Sequence, residues 1–298
     1  MVYTDILIKS FFCVIIIIMK TPVSELKDKI RLICSDIDGT LISRQQEVPP
    51  INLRALSRFI DNGGKFAIVT GRFKTGALGI ANKLGLKVSD IAGVYDNGAY
   101  VEADGHSIGA YGVPHEALLE ISEKAHSYSA RPVMFSGETW AVEEVDKWWK
   151  DINGFYEGRG VVAPFTEIIE QSKKDNYEEP VKLVLRLDEH EKMQMLKEDL
   201  SLSYPSLLFF LSHPDILEVS LKQVDKGTGI EALASYYGLK LENIMAFGDF
   251  DNDVPMLKKA GFGVAMQNGT PDALSSADYI TDTNENGGVG KAIEKFLL

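Results

Sequence analysis

Short apolar runs that end at polar residues recur near both ends of the chain. The runs lie at residues 30–35, 65–69 and 244–247, and they end at Asp36, Thr70 and Gly248. Near-continuous apolar strands separated by helical stretches predict a parallel sheet covered by helices on both faces. Ligands of such sheets bind beyond the carboxyl ends of the strands, so the polar residues at these ends are the first place to look for chemistry.

The middle of the chain has a different pattern. Residues 116–127 have the spacing of an amphipathic helix, and two strand-like runs at 181–187 and 207–211 flank a further helix at 189–200. Strands mixed with helices, with fewer glycines at the strand ends, favour an α+β insert. The sequence therefore predicts a doubly wound parallel-sheet, Rossmann-like α/β core that carries an inserted α+β domain. We expect the core to comprise residues 29–112 and 221–298, and the insert residues 113–220.

Residues 1–28 are predicted to be an N-terminal extension. Its apolar stretch at 6–19 is shorter than the ~20 residues that span a bilayer, so we expect no stable membrane insertion. Only Lys9 precedes the apolar block, and no small-residue cleavage site follows it. We interpret the segment as inert or non-native, with Met19 as a plausible start; a membrane or export role is the alternative.

The formal net charge of the 298 residues is −12. A surface this acidic repels nucleic-acid backbones, so no nucleic-acid partner is expected. A small phosphorylated metabolite remains compatible, because a bound metal or a single lysine inverts the field locally. The two cysteines, Cys13 and Cys34, are too few for a disulfide framework or a cysteine zinc site, and they fit a reducing, cytoplasmic location.

Two acidic clusters follow predicted strands. Their carboxylates are Asp36 and Asp38 in the first cluster, and Asp249 and Asp253 in the second. Close carboxylates repel one another and usually share a proton or a hard cation, and Mg²⁺ prefers oxygen ligands. Four ionised aspartates carry about four negative charges, which disfavours an added phosphate dianion.

One Mg²⁺, one lysine and one retained proton bring this site near neutrality for phosphoryl transfer. Lys226, at the start of a predicted helix after the insert, is the candidate lysine. The hydroxyl and the backbone amide of Thr70 are candidate phosphate donors.

These segments together carry a family resemblance. In order along the chain they are Asp36-Ile37-Asp38-Gly39-Thr40, Thr70-Gly71-Arg72, Lys226-Gly227 and Gly248-Asp249 through Asn252-Asp253, with Asp96-Asn97-Gly98-Ala99 as a further match. From about residue 29 to the C-terminus the chain resembles the haloacid dehalogenase-like (HAD) phosphohydrolases. Within that superfamily it is similar to the Cof-type group, which has a large inserted α/β cap.

The resemblance implies a role for each motif residue. Asp36 is expected to be the nucleophile that forms an aspartyl-phosphate, and Asp38 the general acid and later the base. The implied Mg²⁺ site consists of Asp36, the backbone carbonyl of Asp38 and Asp249, with Asp253 orienting water on the metal. The implied phosphate ligands are Thr70, Gly71 and Lys226, with Asn252 near the phosphate. Arg72 either contacts the substrate or pairs with a carboxylate at the surface.

Three functions are compatible with these residues. The first is a Mg²⁺-dependent phosphatase of sugar phosphates or related phosphomonoesters. The second is a sugar phosphomutase, which returns the phosphoryl group to an isomeric hydroxyl. The third is a non-enzymatic Mg²⁺-binding module that is phosphorylated as a signal, which the presence of Asp38 disfavours.

Overall fold

The computed structural model describes residues 23–86, 91–136, 139–146, 149–150, 160–174 and 182–298. The predictions for the apolar stretch at 6–19 and for Met19 lie outside these residues. No helix within the described ranges combines the length and the apolar character needed to cross a bilayer.

An eight-stranded sheet, here called the first sheet, forms the core. Its strands are β1 (Leu32–Ser35), β2 (Lys65–Val69), β3 (Ala92–Tyr95), β4 (Tyr100–Ala103), β5 (His106–Ala110), β12 (Ile244–Gly248), β13 (Phe262–Met266) and β14 (Tyr279–Thr281). They lie in the order β14-β13-β12-β1-β2-β3-β4-β5. Pairing is parallel from β14 to β3, and β3, β4 and β5 pair antiparallel.

Helices cover both faces of the first sheet. They are α1 (Val23–Lys29), α2 (Pro50–Asp61), α3 (Lys74–Lys83), α7 (Lys226–Tyr236), α8 (Val254–Lys259), α9 (Pro271–Ser276) and α10 (Gly288–Phe296). Successive strand residues point to opposite faces. Ile33 therefore packs in the cluster that holds Phe59 of α2, whereas Cys34 packs in the cluster that holds Leu233 of α7. Burial on both faces explains why β1 is apolar at almost every position.

A six-stranded sheet, here called the second sheet, is built from the middle of the chain. Its strands are β6 (Arg131–Ser136), β7 (Thr139–Val142), β8 (Gly160–Val162), β9 (Lys182–Arg186), β10 (Leu207–His213) and β11 (Ile216–Leu221). They lie in the order β10-β11-β9-β6-β7-β8, antiparallel except for the parallel pair of β7 and β8. The helices α4 (His115–Ser127), α5 (Phe165–Lys174) and α6 (His190–Ser203) share an apolar core with this sheet.

The predicted fold class, a parallel α/β core with an α+β insert, is confirmed. The strands of the first sheet come from residues 32–110 and 244–281, and those of the second from residues 131–221. The domain limits at residues 112/113 and 220/221 stay predictions.

Candidate active site

The carboxyl ends of three neighbouring parallel strands bring the predicted residues to one edge of the first sheet. Ser35, the last residue of β1, pairs with Phe247 of β12 on one side and with Ile68 of β2 on the other. The residues that follow these strands are therefore adjacent in space. Asp36 follows β1, and the second acidic segment follows β12.

Asp36, Asp249 and Asp253 form an acidic cluster. Each offers a carboxylate oxygen, and these oxygens lie within 4.8 Å of one another. The hydroxyl of Thr40 donates to Asp249 Oδ1 at 2.7 Å. The backbone N–H groups of Asp249 and Phe250 both donate to Asp253 Oδ2 at 2.9 Å, so Asp253 holds the loop after β12 in place.

Lys226 lies between two of these carboxylates. Its Nζ donates to Asp36 Oδ1 at 2.6 Å and to Asp253 Oδ1 at 2.5 Å, and the side chain is only 1% exposed. Lys226 is the first residue of α7, and the side chain of the N-cap residue Asp225 accepts the backbone N–H of Thr228. This capping interaction begins the helix at the point that directs the lysine into the cluster.

Burial and like charge set the protonation of the cluster. Burial raises the pKa of Asp36 above its usual range, an effect that Lys226 opposes and that the charges of Asp253 and Asp249 reinforce. Burial likewise raises the pKa of Asp249 to about 6, against the hydrogen bond from Thr40. Burial lowers the pKa of Lys226, but its two carboxylate partners outweigh this effect and keep the pKa above its usual value. With all groups ionised, three carboxylates face one ammonium, and the cluster attracts a further cation.

The donor atoms of the cluster fit Mg²⁺, a hard cation that prefers oxygen ligands and takes only one or two protein carboxylates. Within the described part of the chain, Asp36 and Asp249 each use Oδ1 for a protein donor, which leaves both Oδ2 atoms for a metal. Both oxygens of Asp253 are already hydrogen-bonded. Asp36 and Asp249 therefore each keep one carboxylate oxygen with no protein donor among the described residues.

Gly39 brings the first loop against this cluster. Its φ is +80°, a left-handed value that glycine adopts without strain. A Cβ atom here would lie 2.2 Å from Asp249 Oδ2. The glycine of the first motif is therefore required for the close approach of Asp249.

Asp38 is not a member of the acidic cluster and pairs with Arg72. The guanidinium donates from Nε to Asp38 Oδ2 at 2.7 Å and from Nη2 to Asp38 Oδ1 at 2.5 Å. The Asp38 side chain is 51% exposed, whereas that of Arg72 is 20% exposed. Arg72 therefore pairs with a carboxylate, and because it also lines the cavity described below, its contact with substrate stays a prediction. The expected metal contact of the Asp38 backbone carbonyl stays a prediction.

The second strand end differs from the prediction in one respect. The backbone amide of Thr70 donates to the carbonyl of Val94 at 2.8 Å and is not a phosphate donor, because the parallel pairing of β2 with β3 continues past the end of β2. The Thr70 hydroxyl oxygen accepts the backbone N–H of Arg72 at 3.0 Å, so its own hydrogen remains available for a ligand.

Asn97 is a site residue that the sequence reasoning did not assign. The Nδ2 of Asn252 donates to Asn97 Oδ1 at 2.9 Å, and a Cβ added to Gly71 would come within 3.0 Å of the same oxygen. Asn97 thus contacts one predicted phosphate ligand and lies beside another. The sequence signal for Asn97 is the Asp-Asn-Gly-Ala segment, which carries part of the family resemblance.

A cavity of about 790 Å³ opens between the strand ends and the second sheet. The site residues that line it include Asp36, Asp38, Thr70, Gly71, Arg72, Asp249 and Asn252. Its other wall comes from the second sheet and includes Phe135, Lys182, Phe210, Leu211, Ser212 and Glu218. The sequence did not single out these wall residues, because nothing local distinguishes them from other strand residues.

A parallel core whose acidic strand ends face a cavity under a second domain defines a class of α/β enzymes that bind ligands at the strand ends. The sequence model of the haloacid dehalogenase-like hydrolases matches residues 33–293. The chain belongs to this family, as its motifs indicated.

Named relatives agree with this assignment. The chain is 27% identical over 276 residues to the 5-amino-6-(5-phospho-D-ribitylamino)uracil phosphatase YitU of Bacillus subtilis. That alignment covers 89% of this chain and 97% of YitU. It is 29% identical over 243 residues to the HMP-PP phosphatase of Yersinia pseudotuberculosis, in an alignment that covers 81% of this chain and 85% of that protein. The solved structure of the HAD-superfamily phosphatase BT1666 from Bacteroides thetaiotaomicron matches with a TM-score of 0.73 and 30% identity. The match covers 93% of this chain and 97% of BT1666. The chain is a phosphatase of the HAD type.

Proposed function

We propose that this protein is a Mg²⁺-dependent phosphatase that hydrolyses small phosphorylated metabolites through an aspartyl-phosphate on Asp36. The observation that carries the proposal is the environment of Asp36. Its carboxylate is buried at the end of β1, Lys226 holds one oxygen at 2.6 Å, and the residue lines the cavity.

Lys226 makes Asp36 a suitable nucleophile. Burial alone would favour the protonated carboxyl, and the buried ammonium counters that effect. Because Oδ2 is the oxygen that would bind the metal, Oδ1, to which the ammonium donates, is the oxygen that attacks phosphorus. The new bond forms as the bond from phosphorus to the leaving alcohol breaks.

In this proposal, Asp38 moves the proton in both half-reactions. It donates a proton to the leaving oxygen and then removes one from the water that hydrolyses the aspartyl-phosphate. The two hydrogen bonds from Arg72 orient its carboxyl group. The partial exposure of Asp38 to solvent lets it exchange protons between turnovers.

The remaining charge on the site requires a cation. Asp36, Asp249 and the backbone carbonyl of Asp38 would hold Mg²⁺, which supplies positive charge to the phosphoryl oxygens. The Thr70 hydroxyl, the backbone of Gly71, Lys226 and Asn252 bind phosphoryl oxygens in this proposal. Asp253 keeps Lys226 and the loop after β12 in position.

The cavity supports a small substrate. A volume of about 790 Å³ lies within the range of small-molecule sites, roughly 300–1,000 Å³. The two named relatives act on a phosphorylated ribitylaminouracil and on HMP-PP. Phosphomonoesters of small metabolites are accordingly the proposed substrates, and inorganic phosphate the proposed product.

The test is phosphate release from a panel of sugar phosphates, nucleotides and other phosphomonoesters. We expect Asp36→Asn to lower kcat by at least about 10³-fold, the scale seen when a nucleophile is removed. EDTA should abolish the activity, and added Mg²⁺ should restore it. Asp272→Asn, on an exposed residue of α9, is the control and should retain full activity. Full activity in Asp36→Asn, or isomerised product without released phosphate, would contradict the proposal.

A further inference from the structure

Asp96 is a buried carboxylate whose oxygens have no hydrogen-bond partner among the described residues. The residue is 4% exposed, and neither Oδ1 nor Oδ2 accepts a hydrogen bond. It follows β3 directly and lines the cavity that holds the acidic cluster. Nearly all buried polar atoms in folded proteins are hydrogen-bonded, so an exception in a residue that lines a ligand cavity calls for an explanation.

The backbone holds Asp96 in an unfavourable conformation. Its φ is +48°, and that of Asn97 is +56°, both in the left-handed region that side-chain-bearing residues rarely adopt. Gly98 follows at +106°, and a Cβ there would lie 2.1 Å from the carbonyl oxygen of Asp225. Strain of this kind persists only where the surroundings enforce it, and it concentrates at ligand sites.

The strained turn also reaches the proposed phosphate site. Asn97 accepts the hydrogen bond from Asn252 at 2.9 Å, and its backbone N–H donates to the carbonyl of Thr70 at 3.0 Å. Asp96 is thereby fixed beside the phosphate ligands. Because like charges repel, a contact of this carboxylate with a phosphate ester would be with the leaving group rather than with the phosphoryl group.

The second sheet supplies the opposite wall. Lys182 Nζ lies 2.6 Å from Glu218 Oε2 and 3.8 Å from Asp96 Oδ1, which is beyond hydrogen-bond length. The lysine therefore balances the charge of Asp96 only in part. Burial raises the pKa of Asp96 to about 6, and the charge of Lys182 opposes this shift.

We infer that Asp96 is a specificity-determining residue, which accepts hydrogen bonds from hydroxyl or amine groups of the substrate's leaving group. The Lys182–Glu218 pair forms the polar wall that faces it. The inference rests on the proposed function, because it needs a phosphate ester seated at Asp36. A polyol or amino-alcohol phosphate satisfies the buried carboxylate, whereas the phosphate of an apolar alcohol leaves it unpaired.

The test compares two primary phosphate esters with the same number of carbons. Sorbitol 6-phosphate carries hydroxyl donors, and n-hexyl phosphate has none. Two variants suit the left-handed backbone: Asp96→Gly removes the side chain, and Asp96→Asn keeps its shape without its charge. Asp278→Asn is the matched control, since Asp278 is also buried but accepts the backbone N–H of Gly263 at the far side of the first sheet.

We expect wild-type kcat/KM to favour sorbitol 6-phosphate over n-hexyl phosphate by at least about tenfold, the scale of a hydrogen bond to a charged group. Asp96→Gly should lower this ratio by about tenfold and Asp96→Asn by a smaller factor, in each case through a fall in kcat/KM for sorbitol 6-phosphate. A merely structural role would lower both values together, and that result, or an unchanged ratio, would overturn the inference.

The remaining outcomes also discriminate. If Asp96→Gly does not fold, as judged by circular dichroism, the wild-type ratio and Asp96→Asn decide, and a wild-type ratio near one refutes the inference. Hydrolysis of p-nitrophenyl phosphate without preference for sorbitol 6-phosphate would reject the role of Asp96 and leave the proposed phosphatase intact. No hydrolysis of any ester would reject both.

Discussion

Replacement of Lys226 by methionine tests the electrostatics of the acidic cluster most directly. The ammonium is fully buried and bonded to Asp36 at 2.6 Å and to Asp253 at 2.5 Å. Methionine preserves much of the volume but leaves three neighbouring carboxylates without their cation. The removal of one partner from a buried ion pair costs about 3–5 kcal/mol of folding stability. Because Lys226 pairs with two carboxylates, we expect the loss for Lys226→Met to lie toward the upper end of this range.

The loss should depend on pH in a defined direction. Burial already raises the folded-state pKa of Asp249 to about 6, above that of the unfolded chain, and without the opposing charge of Lys226 this pKa rises further. The folded variant then binds a proton that the unfolded chain has released, so its stability falls as pH rises through this interval. The difference between wild type and variant is therefore expected to be small near pH 5 and largest near pH 8.

Urea denaturation at both pH values, in EDTA, measures this difference. We expect excess Mg²⁺ to recover part of the loss at pH 8, because a bound cation replaces the missing positive charge. The double variant Asp36→Asn/Lys226→Met should be more stable than Lys226→Met, since it has one fewer uncompensated carboxylate. A loss below about 1 kcal/mol, or an equal loss at pH 5 and pH 8, would refute the assignment of Lys226 as the cation of this cluster.

Further predictions concern the two loops of the site and the acid sensitivity of the fold. Gly39→Ala should lower kcat/KM by at least about tenfold, because the added Cβ would lie 2.2 Å from Asp249 Oδ2 and would force Asp249 to move. Unchanged activity and unchanged Mg²⁺ dependence would count against this prediction. Arg72→Lys should change kcat more than KM, since a lysine cannot make both hydrogen bonds to Asp38. Steady-state kinetics, with Arg72→Ala as the reference variant, measures both parameters. Equal effects on kcat and KM would argue that Arg72 contacts the substrate. Hydrogen bonds, first of all from a lysine ammonium, lower the pKa of Asp282 to about 2, so its contribution to stability is present above about pH 4 and is lost as pH falls toward 2. Urea denaturation of Asp282→Asn should show destabilisation at pH 7 and little at pH 2, whereas equal effects would contradict the shift.

Much of this protein could be predicted from neighbouring residues alone. Continuous apolar runs followed by acidic residues and glycine predicted the parallel core and the edge at which Asp36 lies. The change of pattern after residue 113 predicted the second, mixed domain. These features depend on periodicity and turn chemistry, which are local properties of the chain. The residue types of the site also predicted its chemistry, because carboxylates are ligands for Mg²⁺ however the surrounding chain packs.

Only the tertiary structure decided the partners of these side chains. Asp36 and Lys226 are 190 positions apart, and Asp38 and Arg72 are 34 apart, so no local pattern reports that each pair forms hydrogen bonds. Sheet pairing committed the Thr70 amide to Val94. The approach of the second sheet likewise determined which groups line the cavity. Contacts of this kind depend on how distant segments pack, and that packing is set by the whole core rather than by the residues that make the contact.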